Sequence, residues 1–207
     1  MSLVLAADYR VPDFDHWWAR LTGDLPRLPS LGAHHIVVYR SLDDASRVFV
    51  TIGVRERGPV DALLRSPVMF SWFDSAGVEE IPPMFAGEVV EKLELAGDAA
   101  APAVPGAVIV AAIAPVGRLE GFEGLDRLRA SVHAAVARLA ASGVRRFWIY
   151  RALDDQAEVM ILQERATERQ AEQWIRHPDA AAGFMAAAGV GAYPPLFVGR
   201  LVQAIEI

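Results

Sequence analysis

An aspartate and a tyrosine close the first apolar run of the chain, LVLAADYR, at Asp8 and Tyr9. A carboxylate at a strand end beside a cavity can accept a proton from a bound acid. A phenol next to it can hydrogen-bond a ligand oxygen. The competing reading is that the strand simply reaches water there. His34 and His35 open a second apolar run. An imidazole on the helix side of a sheet acts as acid or base near neutral pH; the alternative is a surface or hydrogen-bonded structural role. Successive strand residues point to opposite faces, so the pair is not expected to ligate one metal. Trp72 lies beside the Phe70/Phe73 stripe of a helix, and Trp17 on the apolar side of another. Either could wall a ligand, or pack in a core. Asp8, Tyr9 and His35 are thus the candidate catalytic residues. Trp72, His34 and Trp17 are the candidate ligand contacts. His16, His133 and His177 show no metal-ligand spacing, and no metal is expected.

Composition narrows the classes of function. The 207 residues are 53% hydrophobic and 22% charged, as in a soluble globular chain. A net charge of −6 without a basic stripe argues against nucleic acid as partner. Cysteine is absent, which removes thiolate nucleophiles, disulfides and cysteine metal sites. Lys92 is the sole lysine, hence the sole Schiff-base candidate, and it falls in a strand-like run where a solvated position is expected. That arginine bias, with the Ala and Gly load, points to a GC-rich bacterial genome. No apolar run is long enough to span a bilayer. MSLVLAADYR lacks the basic start of a signal peptide, so a cytoplasmic protein is expected. The chain has no G-x-S-x-G, no P-loop and no G-x-G-x-x-G fingerprint; Gly189-Val190-Gly191 follows a helix rather than opening one.

The elements that must position these residues are announced by an internal repeat. Residues Tyr39–Leu95 reappear as Tyr150–Ile207, with 18 of 57 positions identical. YRSLDD matches YRALDD, and Gly77, Pro82, Pro83, Phe85 and Glu94 match Gly189, Pro194, Pro195, Phe197 and Glu206. A tandem duplication is expected, with repeats at 1–96 and 107–207 and a Pro/Gly/Ala linker at 97–106. Positions alike in both copies read as scaffold: Asp43-Asp44 and Asp154-Asp155 as turn and capping carboxylates, Arg40 and Arg151 as their partners. Residues peculiar to one copy are the better candidates for chemistry. Asp8-Tyr9 stands against Ile113-Ala114, His34-His35 against Arg145-Arg146, and Trp72 against Gly183.

Each half reads strand, helix, strand, strand, helix, strand. The first predicts strands at Leu3–Tyr9, His34–Arg40 and Arg47–Val54 and a last one ending at Leu95. Its first helix is capped by Asp13 or Asp15 and ended by Pro26 and Pro29; its second starts at Gly58-Pro59, is broken or kinked by Pro67 and stops at Gly77. The second half predicts strands at Val108–Ala114, Arg145–Arg151, Glu158–Gln163 and Phe197–Ile207, and helices at about Leu125–Ser142 and Glu168–Ala188. In the first strand Leu3, Leu5 and Ala7 fill one phase while Val4 and Ala6 fill the other, so neither face suits water. Each fully buried large apolar side chain contributes about 1.5–3 kcal/mol. The expected fold is α+β: two ferredoxin-like βαββαβ repeats whose four-stranded sheets pack face to face as an intrachain pseudo-dimeric barrel.

Particular phrases carry a resemblance. VPDFDHWW at 11–18 is similar to the V-x-D-[YF]-D-x-W opening of the first helix in the dimeric α+β barrel superfamily, which includes the antibiotic-biosynthesis monooxygenases. VYRSLDD at 38–44 and IYRALDD at 149–155 resemble its hairpin. RSP…F…AGV at 65–78 and RHP…F…AAAGV at 176–190 resemble its second helix. The resemblance implies a small-molecule protein, either a cofactor-independent monooxygenase or cyclase-like enzyme acting on an aromatic or polyketide-like ligand, or a non-catalytic ligand-binding or interaction domain. Haem degraders of this superfamily carry a His ten positions after a helix-two Trp; here Trp174 is followed by Phe184, and no cofactor is expected. The implied partner is a small hydrophobic or aromatic molecule. Because a fused chain supplies its own twin, a monomer or weak homodimer is expected.

Overall fold

The computed structural model describes residues 3–64, 66–95, 106–116, 123–176 and 195–207. Two successive βαββαβ runs are present. The first comprises β1 (Leu3–Arg10), α1 (Phe14–Asp24), β2 (Ala33–Ser41), β3 (Arg47–Val54), a helix divided into α2 (Arg57–Leu64) and α3 (Pro67–Ser75), and β4 (Met84–Glu94). The second comprises β5 (Val108–Pro115), α4 (Glu123–Ala141), β6 (Val144–Ala152), β7 (Glu158–Arg165), α5 (Glu168–Ile175) and β8 (Phe197–Glu206). The class is α+β. The expected linker, apart from Gly106, lies outside the described residues, as do residues 177–188 of the expected last helix.

Local chemistry explains the element boundaries. The Asp13 side chain accepts the His16 N–H at 2.9 Å and caps α1. Pro26 and Pro29 do not simply end that helix. After Asp24 the chain tightens into a 3₁₀ helix, Leu25–Leu31, which tolerates Pro29 and closes on Gly32 at φ 74°. Pro67 splits the expected second helix in two by standing at the first position of α3, where its missing N–H costs nothing. In the β2–β3 turn Asp44 accepts from the Ser46 N–H at 2.9 Å and hydroxyl at 2.6 Å. Its arginine is Arg10, at 3.1 Å, rather than Arg40. Arg40 donates to the Ala45 carbonyl at 2.7 Å and lies over the Phe14 ring.

The chain forms two compact units: residues 1–88 with 199–207, and residues 89–198. In the first unit β1 pairs antiparallel with β3 and with the opening of β4, while β2 pairs with β3 and with residues 199–206 of β8. Its core packs Ala7, Tyr9, Ile36, Val38, Val48 and Val50 from the sheet against Trp17, Leu21, Met69 and Phe73 from the helices. The opposite strand phase is buried as well, at Val4, Ala6, Phe49 and Thr51. In the second unit β7 is flanked by β5 and β6, and α4 lays Leu128, Val132, Ala135 and Leu139 on Phe147, Ile149 and Ile161. Val90 and Leu93 of β4 pack on that cluster, and the Leu95 N–H donates to the Arg145 carbonyl at 2.7 Å.

Candidate functional site

The first unit holds a cavity of about 600 Å³ between sheet and helices. Its floor is one phase of two strands: Leu5, Ala7 and Tyr9 of β1 and Val50 and Ile52 of β3. Alternation at period two puts those residues on one face. The roof comes from Leu21 of α1, Leu28 of the 3₁₀ helix, Leu63 of α2, and Met69, Trp72 and Phe73 of α3. Such a chamber, apolar with a few polar groups at its margin, suits a small organic molecule.

The polar margin is a seam between α1 and α3. His16, Arg20 and Asp24 recur at i, i+4 and i+8, so they lie on one side of α1. The His16 Nε2 contacts the Ser75 carbonyl at 3.1 Å and the Arg20 Nε donates to the Ser75 hydroxyl at 3.2 Å. The Trp72 indole donates to Asp24 Oδ2 at 3.0 Å. Asp24 is an acid at a helix C-terminus, where the helix dipole disfavours it. Its compensation is complete: Arg20 sits at 3.2 Å and Arg27 at 3.1 Å. Arg20, Asp24, Arg27, Trp72 and Ser75 all line the cavity. Reasoning from the sequence singled out Trp72 and missed the rest. The missed signal was the spacing R-x3-D-x2-R across the end of α1.

The other candidates are dispersed. Tyr9 lines the cavity, but it is buried in an aromatic cluster, edge-on to Phe73 at 5.5 Å and to Trp17 at 6.1 Å. Burial drives its phenol well above the ordinary range, only partly opposed by the Trp17 indole, so the hydroxyl keeps its proton at neutral pH. Trp17 is fully buried beneath the sheet, its N–H lacks a well-formed hydrogen bond, and it is a core residue rather than a lining one. Asp8 points to the other side of β1. Its carboxylate is gripped by both ends of the Arg47 guanidinium, Nε at 2.8 Å and Nη2 closer still. That ion pair, itself raising the Arg47 pKa, borders a second, polar cavity of about 360 Å³ with Tyr9, Arg10 and residues 79–83. Tyr9 is the wall the two cavities share.

His34 and His35 are adjacent in space but border neither cavity. The pairing of β2 with β3 slips between Ala33 and His35, and this bulge overrides the alternation expected of a regular strand. The rings meet edge to face with centroids 4.4 Å apart, and the two Nδ1 atoms are 2.9 Å apart, one donating to the other. The His35 ring lies on Gly53; a Cβ there would come within 2.1 Å of it. Burial, then His34, lowers the His35 pKa, with Glu206 opposing. β6 carries the same slip between Val144 and Arg146, but there Glu164 stands on β7 and receives Arg145 at 4.0 Å and Arg146 at 3.7 Å. Among the described residues no group of three or more His, Asp or Glu is placed to hold a metal ion. His177, Gly183, Phe184 and the Trp174 side chain lie outside the described residues.

No family model and no curated protein matches the chain. Solved structures do match, over nearly its whole length. An anthrone oxidase-like protein superposes with TM-score 0.70 at 14% identity, covering 99% of this chain and 93% of that one. A heme-binding protein from Thermus thermophilus gives 0.56 at 17% identity over 98% and 93%. A monooxygenase-like protein from Listeria innocua gives 0.54 at 11% identity over 98% and 95%. The fold is that of the dimeric α+β barrel proteins, carried by one chain. No described helix is long and apolar enough to cross a membrane.

Proposed function

We propose that the first unit binds a small aromatic or polyketide-like molecule in its 600 Å³ cavity and acts on it as a cofactor-independent monooxygenase or cyclase-like enzyme. The cavity is the observation that carries this reading: its apolar floor and roof, with polar groups only at the margin, match an aromatic guest. The likeness to an anthrone oxidase-like and a monooxygenase-like structure agrees with it. Without a cofactor, the substrate must supply the electrons: an activated CH₂ and O₂ give C=O and water. The protein's part is then to exclude bulk water, orient the ring against Trp72 and Phe73, and hold a proton on the Tyr9 oxygen as a hydrogen-bond donor. Of the base groups proposed from the sequence, Asp8 stands across Tyr9 from this cavity, paired with Arg47, and His35 borders neither cavity, so neither touches a guest held there.

One observation favours a second reading, a ligand-binding protein without catalysis. The Asp8 carboxylate is engaged by Arg47, and His35 borders neither cavity. Thermal-shift screening with anthrones and naphthols, paired with oxygen uptake, separates the two. The expected result is stabilisation by about 2–3 kcal/mol at a hundredfold excess over Kd. Ser71→Trp, which places an indole at the exposed margin, should abolish it. Stabilisation with oxygen uptake supports the enzyme, and turnover untouched by Asp8→Asn or His35→Ala would remove those residues from it. Stabilisation without uptake or cyclised product supports the binding protein. A shift that survives Ser71→Trp would place the ligand elsewhere. We further propose that the solution species is a monomer or weak homodimer, to be checked by sedimentation.

A further inference from the structure

We infer that the guest of the first unit's cavity carries an acidic group, a carboxylate or an acidic phenol, which the α1 end of the cavity holds through Arg20 and Arg27. This rests on the reading of that cavity as a small-molecule site and narrows its ligand class. The charged residues lining the cavity are two arginines and one aspartate, leaving a net positive margin on an apolar chamber. Both oxygens of the aspartate are engaged: Asp24 Oδ1 receives Arg27, while Oδ2 receives both Arg20 and the Trp72 indole. A cationic guest would therefore find no carboxylate ready for it. An anionic guest would find guanidinium donors.

Each guanidinium has five N–H groups. Arg20 directs its Nε to Ser75 and an Nη2 donor to Asp24; Arg27 directs an Nη1 donor to Asp24. The remaining donors are left for water or a guest, since both residues line the cavity and their side chains are 40% and 78% exposed. Asp24, only 13% exposed, anchors both forks without filling them. Ser30 lies on the same lining, but its hydroxyl already donates to the Arg27 carbonyl at 2.6 Å, so the arginines alone supply donors. A planar carboxylate matches such forks with paired, charge-assisted hydrogen bonds, and its aromatic body then falls toward Leu5, Val50 and Phe73.

The test compares two guests of one shape, 2-naphthoate and neutral 2-naphthamide, by calorimetric titration of the whole chain at pH 7. Naphthoate should bind about tenfold more tightly, the difference of one well-formed charge-assisted contact. The preference should shrink in 0.5 M salt, because both arginines are partly exposed. Arg27→Gln changes a largely exposed side chain and should bring the ratio close to one; Arg20→Gln should lower it in the same direction. If both guests bind equally, or the amide binds better, the acid-group inference fails while the cavity's role stands. If the ratio survives in Arg27→Gln and Arg20→Gln together, the inference fails too. If neither guest binds, the small-molecule reading of the cavity falls, and this inference with it.

Discussion

His35 shows how a single glycine decides the chemistry of its neighbour. The imidazole rests where any side chain on Gly53 would have to be, half-buried, with His34 against one nitrogen and Glu206 nearby on β8. Its pKa is lowered, so the unfolded chain takes up the proton more readily than the folded one. The stability this preserves is present above the ordinary histidine pKa of about 6.5 and is lost as pH falls below it, until the folded imidazole is protonated too. The urea midpoint should therefore drop more between pH 7.5 and pH 5 in the parent chain than in His35→Gln; equal drops would refute it. None of this was legible in the sequence. HH at 34–35 signals a titratable pair, but not that a bulge brings both rings together or that Gly53, eighteen positions on, makes the room. Asp8 is a similar case: its role depends on Arg47, a strand neighbour 39 residues away. Trp72 was legible, since an aromatic beside a helix stripe has to meet either a core or a cavity, and here it meets a cavity margin.

At the scale of elements, period and punctuation were enough for most of the fold. β3 covers the stretch 48–54, rich in β-branched residues, and Asp13 marks the start of α1 by the rule that a short carboxylate satisfies an orphan N–H. Where prolines cluster, the sequence was ambiguous. The same ring that cannot sit inside an α-helix is tolerated in the 3₁₀ segment at Leu25–Leu31 and at the first position of α3. These two choices shape the cavity, because one carries Arg27 and Leu28 to its margin and the other turns Met69 and Phe73 inward. The cap on α1 matters for the same reason: α1 delivers Leu21, Arg20 and Asp24. Asp13→Ala should cost about 1 kcal/mol, a fall of about 2–4 °C in the melting temperature, with ligand binding weakened alongside. Calorimetry showing no change would mean the helix start is held by packing alone.

For the molecule as a whole, the two compact units are not two consecutive lengths of chain. The first includes residues 199–207, which pair with β2 and close on the His34 carbonyl through the Ile207 N–H at 3.0 Å. Ile205 and Ile207 are partly buried there, and losing them should cost about 2–4 kcal/mol before the lost ladder is counted. A chain ending at Val198 should show rapid hydrogen exchange over residues 33–41, as read by mass spectrometry. Retained protection there would show that β2 is secured without β8. The repeat in the sequence pointed to two similar runs, but similarity between segments says nothing about which segment a strand edge will bond to; that is set by pairing geometry between distant residues. The late strand of the first unit also bears on biogenesis. A nascent polypeptide leaving the ribosome can assemble β1, β3 and β2 early, yet the outer edge of β2 stays bare until translation has passed residue 207. During that interval the unsatisfied edge is open to a chaperone, or to the same edge on a neighbouring nascent chain.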